Sequence, residues 1–119
     1  MKEKFELFMG HFGVGIVVSN KAVSHSGNYK KIAHIRETGH IKWYIDPESY
    51  VPEKEKQRIL QAATVQKDEW EDWFQSLPEI SQYSYLFDHL KEDDYRKIMA
   101  EKHSRQEQIE AAKHIYCNY

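Results

Sequence analysis

Residues 29–45, YKKIAHIRETGHIKWYI, alternate apolar and polar side chains on either side of a Glu-Thr-Gly interruption. That period of two predicts a β-hairpin with one buried and one wet face. Turn chemistry sets its register. A two-residue Thr38-Gly39 loop would demand positive φ at a β-branched residue. A three-residue loop, Glu37-Thr38-Gly39 with Gly39 left-handed, carries no such penalty. It pairs Arg36 with His40, Ile35 with Ile41, His34 with Lys42, Ala33 with Trp43 and Ile32 with Tyr44. Ala33, Ile35, Ile41, Trp43 and Ile45 then face a core, and Lys30, Ile32, His34, Arg36, His40, Lys42 and Tyr44 face outward. A slip of one residue would mix the two sets, so the cleaner alternation decides.

Upstream, FELFM (5–9) and VGIVVS (14–19) read as two further strands separated by a turn or bulge at GHFG. The polar run NKAVSHSGN is a loop with room for one helical turn. From Pro52, which suits a first helical position, the period becomes helical. Ile59, Ala63, Trp70, Trp73, Phe74 and Leu77 form a stripe running to about Ser76. Ser76 with Glu79 resembles a capping box, and Pro78 forces a break. A second helix uses Ile80, Tyr83, Phe87 and Leu90. A third follows the acidic KEDD and uses Tyr95, Ile98 and Met99, and a fourth opens on the Ser104/Glu107 capping box. Strands followed by helices predict one α+β domain over 1–119: an antiparallel sheet of three to four strands in 1–46, and about four helices in 52–116 packed on one face of it.

Composition changes this picture little. At 119 residues with 40% hydrophobic and 13% aromatic content, the chain is long enough for a single core without covalent staples. The lone cysteine, Cys117, excludes an internal disulfide and suits a reducing compartment. The opening MKEKFELFMG lacks the apolar run of a signal peptide, and no stretch approaches the roughly 20 apolar residues of a membrane span. A cytoplasmic location is therefore expected. Charge is unevenly spread: residues 1–46 carry +3, residues 47–103 carry -5, and the last sixteen balance. Such a split favours an oriented encounter with a partner.

Candidate chemistry is sparse. GHFGVG has neither dinucleotide nor phosphate-loop spacing, and a strand rather than a helix follows it. His34 and His40 lie diagonally on the outer hairpin face, but Arg36 and Lys42 beside them oppose a metal cation. Glu110 and His114, with Glu107 one turn earlier, match no zinc signature. Ser24, His25 and Ser26 are adjacent in a loop with no orienting carboxylate. No catalytic residue, metal or cofactor is expected, and the chain reads as a binding protein. Two surfaces qualify. One is the basic sheet face of Lys30, His34, Arg36, His40, Lys42 and Tyr44, suited to nucleic acid or an acidic partner. The other is acidic and helical: Asp68, Glu69, Glu71 and Asp72 around Trp73, and Glu92, Asp93 and Asp94. It suits a protein with a cationic channel.

The stretch FMGHFGVGIVVSNKAVSHSGNYKKIAHIRETGHIKWYI resembles small proteins from mobile elements of Gram-positive gut bacteria. The likeness rests on the glycine-punctuated hairpin, Asn20-Lys21-Ala22-Val23, Gly27 with Tyr29 and Lys30, Ile32-Ala33-His34-Ile35, and Gly39 with Ile41-Lys42-Trp43-Tyr44. It covers about the first 50 residues. Gly13-Val14-Gly15 stands where that family often has Gly-Asn-Gly, and Ser19 where it has Cys. The resemblance implies an accessory protein of a phage or conjugative element that counters host defence. An anti-CRISPR inhibitor that binds a type II CRISPR nuclease and blocks nucleic-acid loading or cleavage is the leading expectation. A nucleic-acid-binding accessory protein using the basic sheet face is the alternative.

Overall fold

A computed structural model describes residues 5–21 and 30–119. The chain divides into two compact units, Met1–Trp70 and Glu71–Tyr119. In the first, strands β1 (Leu7–Phe12), β2 (Gly15–Asn20), β3 (Lys30–Ile35) and β4 (Ile41–Trp43) form an antiparallel sheet in chain order. The helices are α1 (Pro47–Tyr50), α2 (Glu53–Ser76), α3 (Glu79–His89), α4 (Glu92–Glu101) and α5 (Arg105–Cys117). An N-terminal antiparallel sheet followed by helices is the α+β order that the hydrophobic periods predict. The loop expected at 20–28, with Ser24, His25 and Ser26, lies almost wholly outside the described residues.

The β3–β4 register is the one turn chemistry predicts: Ala33 opposes Trp43, His34 opposes Lys42 and Ile35 opposes Ile41. Arg36 N donates to His40 O at 2.9 Å, Gly39 N donates to Arg36 O at 2.9 Å, and Gly39 has φ +85. The first hairpin differs from expectation. GHFG is not its turn, because β1 continues through His11 and Phe12, and only Gly13 and Val14 stand between Phe12 and Gly15. Gly13 has φ +63 and Val14 does not share the positive sign, the pattern of a tight type II′ hairpin turn.

Ile32 is the second correction. Simple alternation puts it outside, yet it is 1% exposed and belongs to the core with its neighbour Ala33. A bulge explains it: Val18 opposes Ala33, but Ser19 opposes Lys31, so Ile32 has no β2 counterpart. The extra residue lets two consecutive side chains turn inward and reverses the parity of what precedes it. Lys31 therefore takes the outward position expected of Lys30, and Lys30 falls opposite Asn20 in the inward register while remaining exposed.

The inner face of the sheet is covered. Ile16, Val18, Ile32, Ala33 and Ile35 pack with Val51, Ile59 and Ala63, and Leu7, Met9, Ile41, Trp43 and Ile45 close around them. Short helix α1, unanticipated from the pattern, caps this corner. Asp46 accepts from Glu48 N at 3.1 Å and from Ser49 Oγ at 2.7 Å, and Pro47 fills the first helical position.

In the second unit, Phe74, Leu86, Ile98, Ile109, Ala112 and Tyr116 are buried. Tyr85 and Tyr116 meet hydroxyl to hydroxyl at 2.8 Å. Ser104 caps α5 as predicted, accepting from Glu107 N at 3.2 Å. The Ser76/Glu79 box does not form: Ser76 Oγ donates back to Trp73 O, and Pro78 precedes α3 with no side-chain cap. Gln82 Nε2 instead donates to the Phe74 and Leu77 carbonyls at the end of α2. Among the described residues no helix is long and apolar enough to cross a membrane.

Candidate functional site

The residues facing away from the core assemble into rows across the sheet. Phe8, Ser19 and Lys31 are successive partners, as are Gly10, Val17, His34 and Lys42, with Phe12 beside Gly15 in a third row. Tyr44 comes beside the first row: its N–H donates to Ile32 O at 2.9 Å, and Lys31 Nζ stands 4.7 Å from its ring centroid. No aspartate or glutamate lies in any of the four strands. A shallow groove of about 600 Å³ runs over this face, lined by Phe8, Gly10, Phe12, Val17, Lys31 and His34 among others.

Glycines shape its floor. A Cβ on Gly15 would stand 2.6 Å from His34 Nε2 and 2.9 Å from Ile35 O, so the imidazole rests directly over the bare backbone. A Cβ on Gly10 would stand 3.1 Å from Phe8 Cε1, so that ring leans over it in the same way. Larger residues at either position would lift the rings and fill the groove.

Aromatic and cationic groups are interleaved here. Tyr44 is 45% exposed, with Lys31 Nζ 4.7 Å and Lys42 Nζ 5.7 Å from its ring centroid. Phe12 is 76% exposed, although β-strand phenylalanines ordinarily bury much of their ring. The hairpin that carries it is tied down, since Gln66 Nε2 donates to Val14 O at 2.9 Å.

Of the expected basic-face residues, His34, Lys42 and Tyr44 are brought together. Arg36 and His40 flank the turn, where Arg36 pairs with Glu37 at 3.2 Å. Lys30 is replaced by Lys31. Sequence reasoning missed Lys31, Phe8 and Phe12. Extending the β1 alternation through GHF would have placed Phe8, Gly10 and Phe12 on one face; only the inter-strand bulge could have revealed Lys31.

The acidic candidates divide between the units. Asp68 and Glu69 are exposed on α2 in the first. In the second, Glu71 pairs with Lys113 Nζ at 2.7 Å, Glu92 with Arg96 at 2.6 Å, and Asp94 accepts from Tyr119 OH at 2.7 Å. These carboxylates are engaged in holding helices, while Asp72 and Asp93 are exposed. Trp73 is 44% exposed and packs edge-on to Tyr85 at 5.0 Å. Among the described residues no cluster of three or more histidine, cysteine or carboxylate side chains is arranged to hold a metal.

No protein-family model, curated protein or solved structure matches this chain.

Proposed function

We propose that this protein works by binding nucleic acid on the outer face of its sheet. The observation that carries the reading is Tyr44 standing between Lys31 and Lys42 on a face without strand carboxylates. An aromatic ring with ammonium groups beside it offers one nucleotide both a stacking surface and a phosphate partner. The groove's open shape and glycine floor support contact with an extended ligand over enclosure of a small one. Lys31, His34, Lys42 and Tyr44 are the contact residues, with Arg36 and His40 at the margin, and the setting is cytoplasmic.

The test is fluorescence anisotropy with labelled nucleic acid across a salt series. Affinity should fall linearly with salt on logarithmic axes, and Lys31→Ala and Lys42→Ala should each reduce the slope by about one. Absence of binding at low salt would refute the reading.

A second reading follows from the resemblance to mobile-element proteins: an anti-defence inhibitor that occupies a type II CRISPR nuclease. Trp73, half-exposed beside the exposed Asp72, favours it, since exposed tryptophan is enriched at binding hot spots. Stoichiometric protein added to a nuclease-cleavage assay should then suppress cleavage, and Trp73→Ala should relieve the suppression.

A further inference from the structure

We infer that the ligand of the sheet face is single-stranded, with bases stacked on Phe12 and Tyr44; this rests on the nucleic-acid reading above. Three geometric features select a single strand over a duplex.

The first is width. Four strands span about 14 Å between the backbones of the two outer strands, at about 4.8 Å per step. The major groove of a duplex is only ~12 Å wide and admits a helix or a two-stranded ribbon. A four-stranded face cannot enter it. Against a duplex it would meet phosphates alone, and its aromatic rings would have nothing to stack on, because paired bases already stack on one another.

The second is where the exposed rings stand. Phe12 ends β1 at one corner of the face, and Tyr44 follows β4 at the opposite corner. Four residues along a strand and three steps across the sheet separate them by roughly 19 Å. That diagonal passes over the groove lined by Val17 and His34. A strand of several nucleotides fits such a span, and four-stranded sheets that bind RNA stack bases on exposed aromatics in this manner.

The third is the disposition of charge. The two lysines cluster at the Tyr44 corner, whereas Phe12 stands beside Gly15, beyond which Arg36 is paired with Glu37 at 3.2 Å. A duplex bound through phosphates would be served by cations spread across the face. A single strand anchored by phosphates at one end and by stacking at the other needs them only near the anchor.

The experiment compares labelled single strands of about ten nucleotides, oligo(U) and oligo(dT), with a hairpin duplex of similar charge. It uses the full chain and the variants Phe12→Ala, Tyr44→Ala and Tyr44→Phe, each checked for folding by circular dichroism. Both single strands should bind more tightly than the duplex. Phe12→Ala and Tyr44→Ala should each weaken single-strand binding about ten- to hundred-fold, more than they weaken duplex binding, and Tyr44→Phe should retain affinity. Oligo(U) against oligo(dT) tells RNA from DNA. Equal affinity for duplex and single strand, or unchanged affinity in both alanine variants, would overturn the single-strand inference while leaving nucleic-acid binding in place. Failure of every nucleic acid to bind would overturn the proposed function and this inference together.

Discussion

The imidazole of His34 lies against the backbone of Gly15, in space that any side chain at that position would occupy: an added Cβ would stand 2.6 Å from Nε2. Since the Ile35 carbonyl oxygen would be only 2.9 Å away on the same side, moving the histidine alone does not relieve the clash. Replacing a strand glycine by alanine ordinarily gains about 0.5–1 kcal/mol of backbone entropy. Overpacking costs about 1–3 kcal/mol. The clash wins, and Gly15→Ala should lower unfolding free energy by about 1–2 kcal/mol in urea titrations. Unchanged or increased stability would mean that the strands separate more easily here than their spacing implies.

Gly39 is constrained twice. Its φ of +85 suits glycine, and a Cβ would stand 2.7 Å from both Ala63 O and Lys67 Cβ, where the turn meets α2. The left-handed conformation alone costs a non-glycine residue about 1–2 kcal/mol. Gly39→Ala should therefore destabilise by more than that, about 2–4 kcal/mol once the contact is included. A loss under 1 kcal/mol, by the same urea titration, would contradict the close approach.

Thr38, in the same turn, is 4% exposed and its Oγ1 is buried without a hydrogen-bond partner among the described residues. A hydroxyl taken from water and left unpaired costs about 1–3 kcal/mol. Thr38→Val keeps the shape and removes that group, and it should raise stability by about 1 kcal/mol. A less stable variant would show that the hydroxyl is engaged.

The turn at Asp46 should respond to acid in a predictable direction. The Ser49 hydroxyl, then the Glu48 amide, hold the Asp46 carboxyl below the ordinary aspartate value of 3.8. The Gln57 amide, then Lys56, hold Glu53 below 4.5. A carboxylate whose folded value is depressed contributes stability above its unfolded value and loses it as pH falls through the folded one. The Glu48 amide resonance in NMR should accordingly titrate with a midpoint below 3.8, and Asp46→Asn should abolish that titration. A midpoint above 3.8 would contradict the capping geometry.

How much of this was legible in the chain depended on how local the cause was. The β3–β4 register could be read because Thr38 and Gly39 restrict the turn and alternation does the rest. The Ser104 cap and the break at Pro78 are likewise local. Helix α1 has a local signal too: Asp46-Pro47 followed by Ser49 is an N-cap and first-turn pattern. The exchange of Lys31 for Lys30 was not legible, because the bulge at Ile32 arises from pairing with β2 and leaves no mark in β3 itself. Phe8 and Phe12 were hidden for a related reason. Gly10 looked like a turn residue, whereas its role is to leave room beneath the Phe8 ring. Half of the outer sheet face was thus readable from one hairpin, and the other half depends on contacts between strands.

The most direct test of the central claim is an NMR titration of the labelled protein with oligo(U), following backbone amides and lysine side chains. Shifts concentrated at Phe12, Val17, Lys31, His34, Lys42 and Tyr44, with inward-facing Val18, Ala33 and Ile35 moving least, are the predicted outcome. Shifts confined to Trp73 and helices α3 to α5, or no shifts at low salt, would contradict it.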